Sequence, residues 1–272
     1  MIIVTGAAGN VGRPLIEALT EAGQTVTAVG RRPVDGRPAG VGYRAADLAD
    51  PQTLRPVLDG ADALFLLVAG DDPHGILDAA KAGGVRRVVL LSTQGAGTRP
   101  ESYRHPRAFE EAVTGSDLAW TVLRPGGFDS NAYAWAPGVR EQRTVAAPFG
   151  DVGLPGIDPA DIAEVAAAVL VGDGHAGRVY ELTGPALMSP RQRAEAIGAA
   201  LGEPVRFIEQ TRDEARAQML RFMPEPVVEG TLAILGVPTA AEQRISPDVQ
   251  RVLGRAPRTF ADWLGRHLAA FR

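Results

Sequence analysis

The chain has 272 residues, 45% hydrophobic and 22% charged, with a formal net charge of −4 and a pI near 5.6. That length suits one large domain or a domain with a grafted lobe, and the acidic balance argues against a general basic surface that grips nucleic acid. Cysteine is absent, which removes disulfides, thiolate catalysis and cysteine metal sites. No apolar stretch approaches the ~20 residues of a membrane span, and with no charged leader the expected location is cytoplasmic.

In chain order, the expected strands are Ile2–Thr5, Thr25–Gly30, Val41–Ala46, Ala63–Val68, Arg87–Ser92 and Trp120–Arg124. The expected helices between them are Val11–Ala22, Pro51–Leu58, Pro73–Ala82 and Pro106–Thr114. Near-continuous apolar strands such as A-L-F-L-L-V and V-V-L-L-S suit a parallel sheet covered on both faces. Alternation at this spacing predicts an α/β fold, a Rossmann-type doubly wound sheet. After Pro125 the rhythm changes. R-P-G-G-F and G-D-V-G-L-P-G-I-D-P read as loop and D-P-A-D-I-A-E-V-A-A-A-V-L as a helix with Asp158 or Asp161 at its start. V-Y-E-L-T-G-P reads as a strand, and the remainder as mostly helical. The expected organisation is a dinucleotide-binding core over 1–124 and a smaller, mainly helical substrate lobe over 125–272. That lobe returns strands to the core, and the whole forms one integrated domain.

The stretch T-G-A-A-G-N-V-G places Gly6, Gly9 and Gly12 at three-residue spacing between the first strand and the first helix. Gly6 permits the tight turn, Gly9 lets backbone approach a pyrophosphate, and Gly12 allows close helix packing. With Ala8, Asn10 and Val11, this turn opens a helix whose free N–H groups favour phosphate. Glycine-rich turns also serve simply as turns, and the strand–helix context favours the dinucleotide. NAD sites usually carry an acidic residue about 20 residues on. Here Arg31 and Arg32 stand after the second strand, where two guanidinium groups suit a 2′-phosphate and so NADPH over NADH. They could equally be solvated loop arginines. Asp47 and Leu48 follow the third strand, at an adenine-contacting position, although Asp47 could also cap the next helix. Val68, Ala69 and Gly70 close the fourth strand with the small residues a ribose needs.

These residues, with V-V-L-L-S-T, F-E-E-A-V-T-G-S-D-L-A-W-T-V-L-R-P-G-G-F, I-D-P-A-D-I-A and Y-E-L-T-G-P, resemble the atypical, NmrA-like branch of the short-chain dehydrogenase/reductase superfamily. The resemblance covers roughly residues 1 to 210. It implies an NAD(P)-binding protein of a branch that includes quinone or azo reductases, ketoreductases of aromatic polyketides and non-catalytic redox sensors. Familiar members of the superfamily use a serine with a tyrosine and lysine spaced Y-x-x-x-K. This chain departs from that pattern, because Lys81 is its single lysine. Tyr43 is followed at that spacing by Asp47, Tyr103 by Arg107, Tyr133 by Pro137 and Tyr180 by Gly184. Ser92 matches the family serine and also adjoins the cofactor. Tyr103, in a segment that reads as an irregular loop, and His105 are the candidate proton donors. A surface role for Tyr103 and helix-end packing for His105 are the plain alternatives. Glu110 and Glu111 read as acids opening a helix. The loop after the sixth strand carries Phe128, Tyr133 and Trp135, which line the expected substrate pocket or belong to the core between lobes. Helices with Met219, Phe222 and Met223 could roof that pocket or pack as ordinary core.

Two functions follow. The first is an NADPH-dependent reductase passing hydride to a ketone or quinone carbonyl of an aromatic or polyketide-like substrate, with room for a homodimer. No nucleic acid, membrane or metal takes part. The second is a non-catalytic NADP(H) sensor of NmrA type.

Overall fold

Seven parallel strands form the central sheet of the computed structural model, which describes residues 1–32 and 39–272. They are β1 (Ile2–Thr5), β2 (Val26–Gly30), β3 (Gly42–Ala45), β4 (Ala63–Leu67), β5 (Arg87–Leu91), β6 (Ala119–Pro125) and β8 (Arg178–Leu182). β7 (Thr144–Pro148) and β9 (Arg206–Gln210) form a separate parallel pair. The large sheet runs β3-β2-β1-β4-β5-β6-β8. The order reverses between β1 and β4, and the crevice outside the carboxyl ends of the strands is therefore where a ligand docks in such a sheet. The six strands expected up to residue 125 are present, each within one residue at either end. Among the described residues no helix is long and apolar enough to cross a membrane.

Alternation along each strand explains why the runs are apolar throughout. Val4, Ala28, Phe65, Val89 and Leu123 face one side, under Leu15 and Leu19 of helix Gly12–Glu21 and Val165 and Val169 of helix Pro159–Val171. Ile3, Val29, Leu64, Leu66, Val88, Leu90 and Val122 face the other, under Val57, Ile76, Phe109 and Val113. Each fully buried side chain of this kind contributes about 1.5–3 kcal/mol, so both faces need their helices. The chain beyond residue 125 therefore divides. Ile157, helix Pro159–Val171 and β8 rejoin the sheet, while Ala132, Val139, Val145, Ile197, Phe260, Trp263 and Phe271 form a second core.

Three local elements differ from the expectations. Q-G-A-G-T forms a short helix, Gln94–Thr98, despite two glycines, with the Thr93 side chain capping it at the Gly95 N–H. The next helix starts at Arg104, two residues before Pro106, with Tyr103 as its N-cap residue. The segment read as an irregular loop is thus a helix–turn–helix junction. The β7–β9 pair also lies inside the part expected to be mainly helical. Both strands are short, β7 is largely buried and β9 partly exposed, and each pairs with a partner far along the chain.

Buried ion pairs fasten the second core to the sheet. Asp158 does cap helix Pro159–Val171, accepting from the Ala160 N–H at 2.9 Å, and it also pairs with Arg266. Asp161, fully buried, accepts from Arg255 Nη2 at 2.7 Å and the Arg258 N–H at 2.6 Å, while Glu164 takes both guanidinium groups at 2.5 Å.

Helix Gln94–Thr98 is held in the same manner. Arg99 reaches the buried Glu242 through Nε at 2.8 Å and Nη2 at 2.9 Å, and the Thr239 N–H donates to Glu242 at 2.7 Å. Burial alone would raise the Glu242 carboxyl, but the bonds from Arg99, Thr239 and Thr98 outweigh it and hold the group at about 2. A carboxyl depressed in the folded state stabilises it above the unfolded value, and that contribution fades as pH falls toward the folded value. Glu242→Gln is expected to cost about 3 kcal/mol at pH 7, because it leaves Arg99 with a broken pair. Urea unfolding at pH 7 and at pH 3 checks this: the difference between variant and wild type should shrink at the lower pH.

Candidate active site

Thr5 closes β1 with its side chain, donating from Oγ1 to the Phe65 carbonyl at 2.9 Å and accepting from the Leu67 N–H at 3.0 Å. The chain then turns through Gly6, at φ +65°, and the Gly9 N–H bonds the Gly6 carbonyl at 2.9 Å. A side chain at position 12 would place Cβ 2.2 Å from that same carbonyl oxygen, so only glycine lets the helix seat here. Ala7 and Val11 point into the core while Ala8, Gly9 and Asn10 are exposed. Among the described residues, no side chain caps the helix that follows at Val11. A bare helix N-terminus beside exposed small residues fits a pyrophosphate, which brings acceptors and negative charge to free N–H groups. Asn10 Nδ2 also donates to Ser130 Oγ at 3.1 Å, joining this turn to the loop after β6.

Arg31 and Arg32 are exposed immediately beyond β2, whose last carbonyl, on Gly30, accepts from the Tyr43 hydroxyl at 2.7 Å. Asp47 makes a local turn, accepting from the Ala49 N–H at 3.0 Å. The cap of the following 3₁₀ turn is Asp50, through the Gln52 N–H at 3.1 Å, so Asp47 does not fill that alternative role. Leu48 packs toward the core, and its carbonyl lies where a Cβ on Gly70 would come within 2.3 Å. Val68, Ala69 and Gly70 are half-buried at the end of β4.

Each candidate proton donor has a hydrogen-bonding neighbour within the fold. His105 Nε2 lies 2.6 Å from the Gly70 carbonyl, which can only accept, so this nitrogen carries its hydrogen toward the backbone. Its ring rests edge-on against Phe109, 5.2 Å between centroids. Tyr103 is buried, at 9% exposure, and not surface decoration. A Cβ on Gly95 would lie 2.6 Å from its ring and one on Gly230 would lie 3.0 Å away, and its hydroxyl meets Thr231 Oγ1 at 3.1 Å. Burial raises the phenol above its ordinary value, against the pull of the Thr231 bond.

Ser92 follows β5, and its N–H bonds the Leu123 carbonyl of β6 at 2.8 Å. Its hydroxyl donates to Glu110 Oε1 at 2.6 Å. Glu110 is buried in the middle of helix Arg104–Thr114, which corrects its reading as a helix-opening acid. Arg124, near the end of β6, reaches its two oxygens at 2.9 and 2.5 Å. A charged residue ending an apolar strand, as in T-V-L-R-P, was the available signal that a buried partner must exist.

Beyond β6, Phe128 bridges to Ile157 and packs against the sheet core. Tyr133 and Trp135 belong to the second core. Tyr133 lies 5.1 Å from the Trp263 ring, 5.7 Å from His267 and 6.3 Å from Phe271. Aromatic partners near the C-terminus take up the Tyr133 ring and Trp135 packs against the same cluster, while both side chains stay partly exposed. Met219 and Met223 pack with Phe149, Val228 and Leu232, while Phe222 is 75% exposed. Asp129 was not anticipated. It is 1% exposed with Arg193 Nη1 3.1 Å away, and burial pushes its carboxyl up to about 6 against the pull of Arg193.

A family model for NAD(P)H-binding proteins matches residues 6–172. The whole chain is 38% identical to the (4-alkanoyl-5-oxo-2,5-dihydrofuran-3-yl)methyl phosphate reductase of Streptomyces griseus, covering 99% of that protein. It is 32% identical, again along its entire length and across 99% of the relative, to the NAD(P)H azoreductase of Xenophilus azovorans. The NADPH complex of a quinone oxidoreductase from Escherichia coli has the same fold, with a TM-score of 0.83 at 26% identity over 99% of this chain and 100% of that one. The chain thus belongs to the NAD(P)H-binding family and is an NAD(P)H-dependent oxidoreductase.

Proposed function

We propose that the protein reduces a conjugated, electron-poor acceptor, a quinone-type carbonyl first among them, with NADPH preferred over NADH. The observation that carries this is the engagement of both candidate acids elsewhere: the Tyr103 hydroxyl on Thr231 and His105 Nε2 on the Gly70 carbonyl. Hydride delivered to an isolated ketone leaves an alkoxide that needs an acid in the transition state. Hydride delivered to a quinone leaves a delocalised phenolate, which water can protonate afterwards. The names of the relatives describe acceptors of the same electronic kind: a quinone, an azo bond, and a ring alkene flanked by ring and alkanoyl carbonyls.

Bound NADPH supplies the hydride. In this reading the exposed backbone of Ala8, Gly9 and Asn10, with the N-terminus at Val11, binds the pyrophosphate, and Gly6 sets the turn. Arg31 and Arg32 take the 2′-phosphate. Asp47 and Leu48 border the adenine, and Val68, Ala69 and Gly70 leave clearance for the ribose. Phe128 flanks the substrate. His105 acts as a tether on the Gly70 loop, and Tyr103 as a pillar under helix Glu225–Gly236.

NADPH oxidation with a panel of quinones, azo dyes and aromatic ketones tests the function. Turnover of the first two classes with the ketones inert is expected. Tight NADPH binding with no turnover of any acceptor would overturn it in favour of a sensor. Replacing Arg31 and Arg32 together by alanine is expected to raise KM for NADPH about 10- to 100-fold while leaving that for NADH within about twofold, since charge-assisted phosphate contacts are lost. Tyr103→Phe should keep kcat within about twofold of wild type and lower stability by about 1 kcal/mol, the worth of one hydrogen bond. A large fall in kcat would restore Tyr103 as the acid.

A further inference from the structure

Ser92, Glu110 and Arg124 form a closed set at the carboxyl ends of β5 and β6 that the hydride step itself does not require. A serine hydroxyl has one hydrogen and two lone pairs. That hydrogen is committed to Glu110 Oε1 at 2.6 Å, and Arg124 fixes the carboxylate from behind through both oxygens. Glu110 is 4% exposed and Ser92 8%, so water does not compete for the contact from many directions. The local sequence makes space for the guanidinium. A Cβ on Gly97 would lie 2.6 Å from Arg124 Nη1, so the glycine lets helix Gln94–Thr98 lie over the pair. Toward a ligand, Ser92 is left with lone pairs only. It accepts and does not donate, and a carboxylate drawing on its hydrogen makes it a stronger acceptor.

We infer that Glu110 and Arg124 are positioning residues that hold Ser92 as an acceptor for the carboxamide N–H of the nicotinamide. The inference rests on the proposed NADPH-dependent function. The substrate is a poor candidate for this bond, because quinones and azo compounds carry only acceptors at the reducible group. An acceptor serine has nothing to take from them, whereas the carboxamide brings N–H donors in every turnover. The bond would fix the amide, and with it the nicotinamide ring beside β5, with no proton passing through Ser92. This differs from a serine that donates to a substrate carbonyl, and the difference is set by a glutamate buried behind it.

The test is calorimetric binding of NADP⁺ and of its 3-acetylpyridine analogue, in which a methyl group replaces the amide nitrogen and its two N–H donors. The wild type is expected to bind NADP⁺ about tenfold more tightly than the analogue, the size of one hydrogen bond left unmade. Ser92→Ala should bind the two alike. Glu110→Gln should lose most of the discrimination, and the Ser92→Ala/Glu110→Gln double variant should lose no more than Ser92→Ala alone, as coupled residues do. Because Glu110→Gln leaves Arg124 with a weakened partner, a Glu110→Gln/Arg124→Met variant removes both charges and should behave as Glu110→Gln does. Discrimination retained in Glu110→Gln, or losses that multiply in the double variant, would overturn the inference. Absence of NADP⁺ binding by the wild type would instead overturn the function on which it rests.

Discussion

The first helix can dock on the sheet only because position 12 has no side chain, since a Cβ there would lie 2.2 Å from the Gly6 carbonyl oxygen. That approach brings Leu15 and Leu19 onto Val4 and Ala28 and makes the face on which helix Pro159–Val171 lies beside the first helix. The return of that second helix carries β8 to the sheet edge, where the Leu182 carbonyl accepts the Gly126 N–H at 3.0 Å, and the Ile157 N–H bonds the Gly127 carbonyl at 2.9 Å. The loop after β6 is thereby drawn across the crevice until Ser130 meets Asn10. One steric constraint at the first crossover thus fixes both the exposed turn and the loop that faces it.

Charge then does what packing cannot. Nearly all the cations are arginine, and the single lysine, Lys81, lies 3.5 Å from the exposed Asp117. Arginines hold the carboxylates: Arg99 on the buried Glu242, Arg124 on the buried Glu110, and Arg255, Arg258 and Arg266 on the buried Asp158 and Asp161 and the half-buried Glu164, while Arg193 lies beside the buried Asp129. Buried pairs of this kind add little net stability over apolar packing, yet breaking one is costly, so each pins a loop or helix in one geometry. A planar fork that reaches two oxygens does this better than an ammonium point charge. It also ties carboxylates such as Glu242 and Glu110 into the scaffold.

What was legible in the sequence follows from the range of the interaction involved. Strands β1, β2, β4, β5 and β6 were readable because both faces are largely buried, which writes a mainly apolar run into the chain, whereas β3, G-Y-R-A, is mostly exposed. The glycine turn was readable because its constraint is satisfied within eight residues, the T-G-A-A-G-N-V-G of Thr5 to Gly12. Helix Gln94–Thr98 was not readable: two glycines argue against it, and Arg99, bound to a glutamate 143 residues later, keeps it in place. Tyr103 looked like loop because its hydroxyl partner, Thr231, is 128 residues away, and Tyr133 could be read as pocket lining or as core because Trp263 and Phe271 lie far along the chain. Glu110 was misplaced by a helix start set two residues late, which hid both its depth in the helix and its pairing with Arg124.

The absence of a Y-x-x-x-K pair shifts the chemical burden from the protein to the substrate. In a reductase that protonates an alkoxide as it forms, tyrosine and lysine lower the barrier for almost any ketone. In the proposed reaction, with the Tyr103 hydroxyl against Thr231 and His105 Nε2 on the Gly70 carbonyl, the electronics of the acceptor would lower the barrier. A quinone, an azo bond and a doubly activated alkene all disperse the incoming negative charge over conjugated atoms before any proton arrives. The scaffold then has only to hold the nicotinamide still, exclude water from one face and admit a flat acceptor.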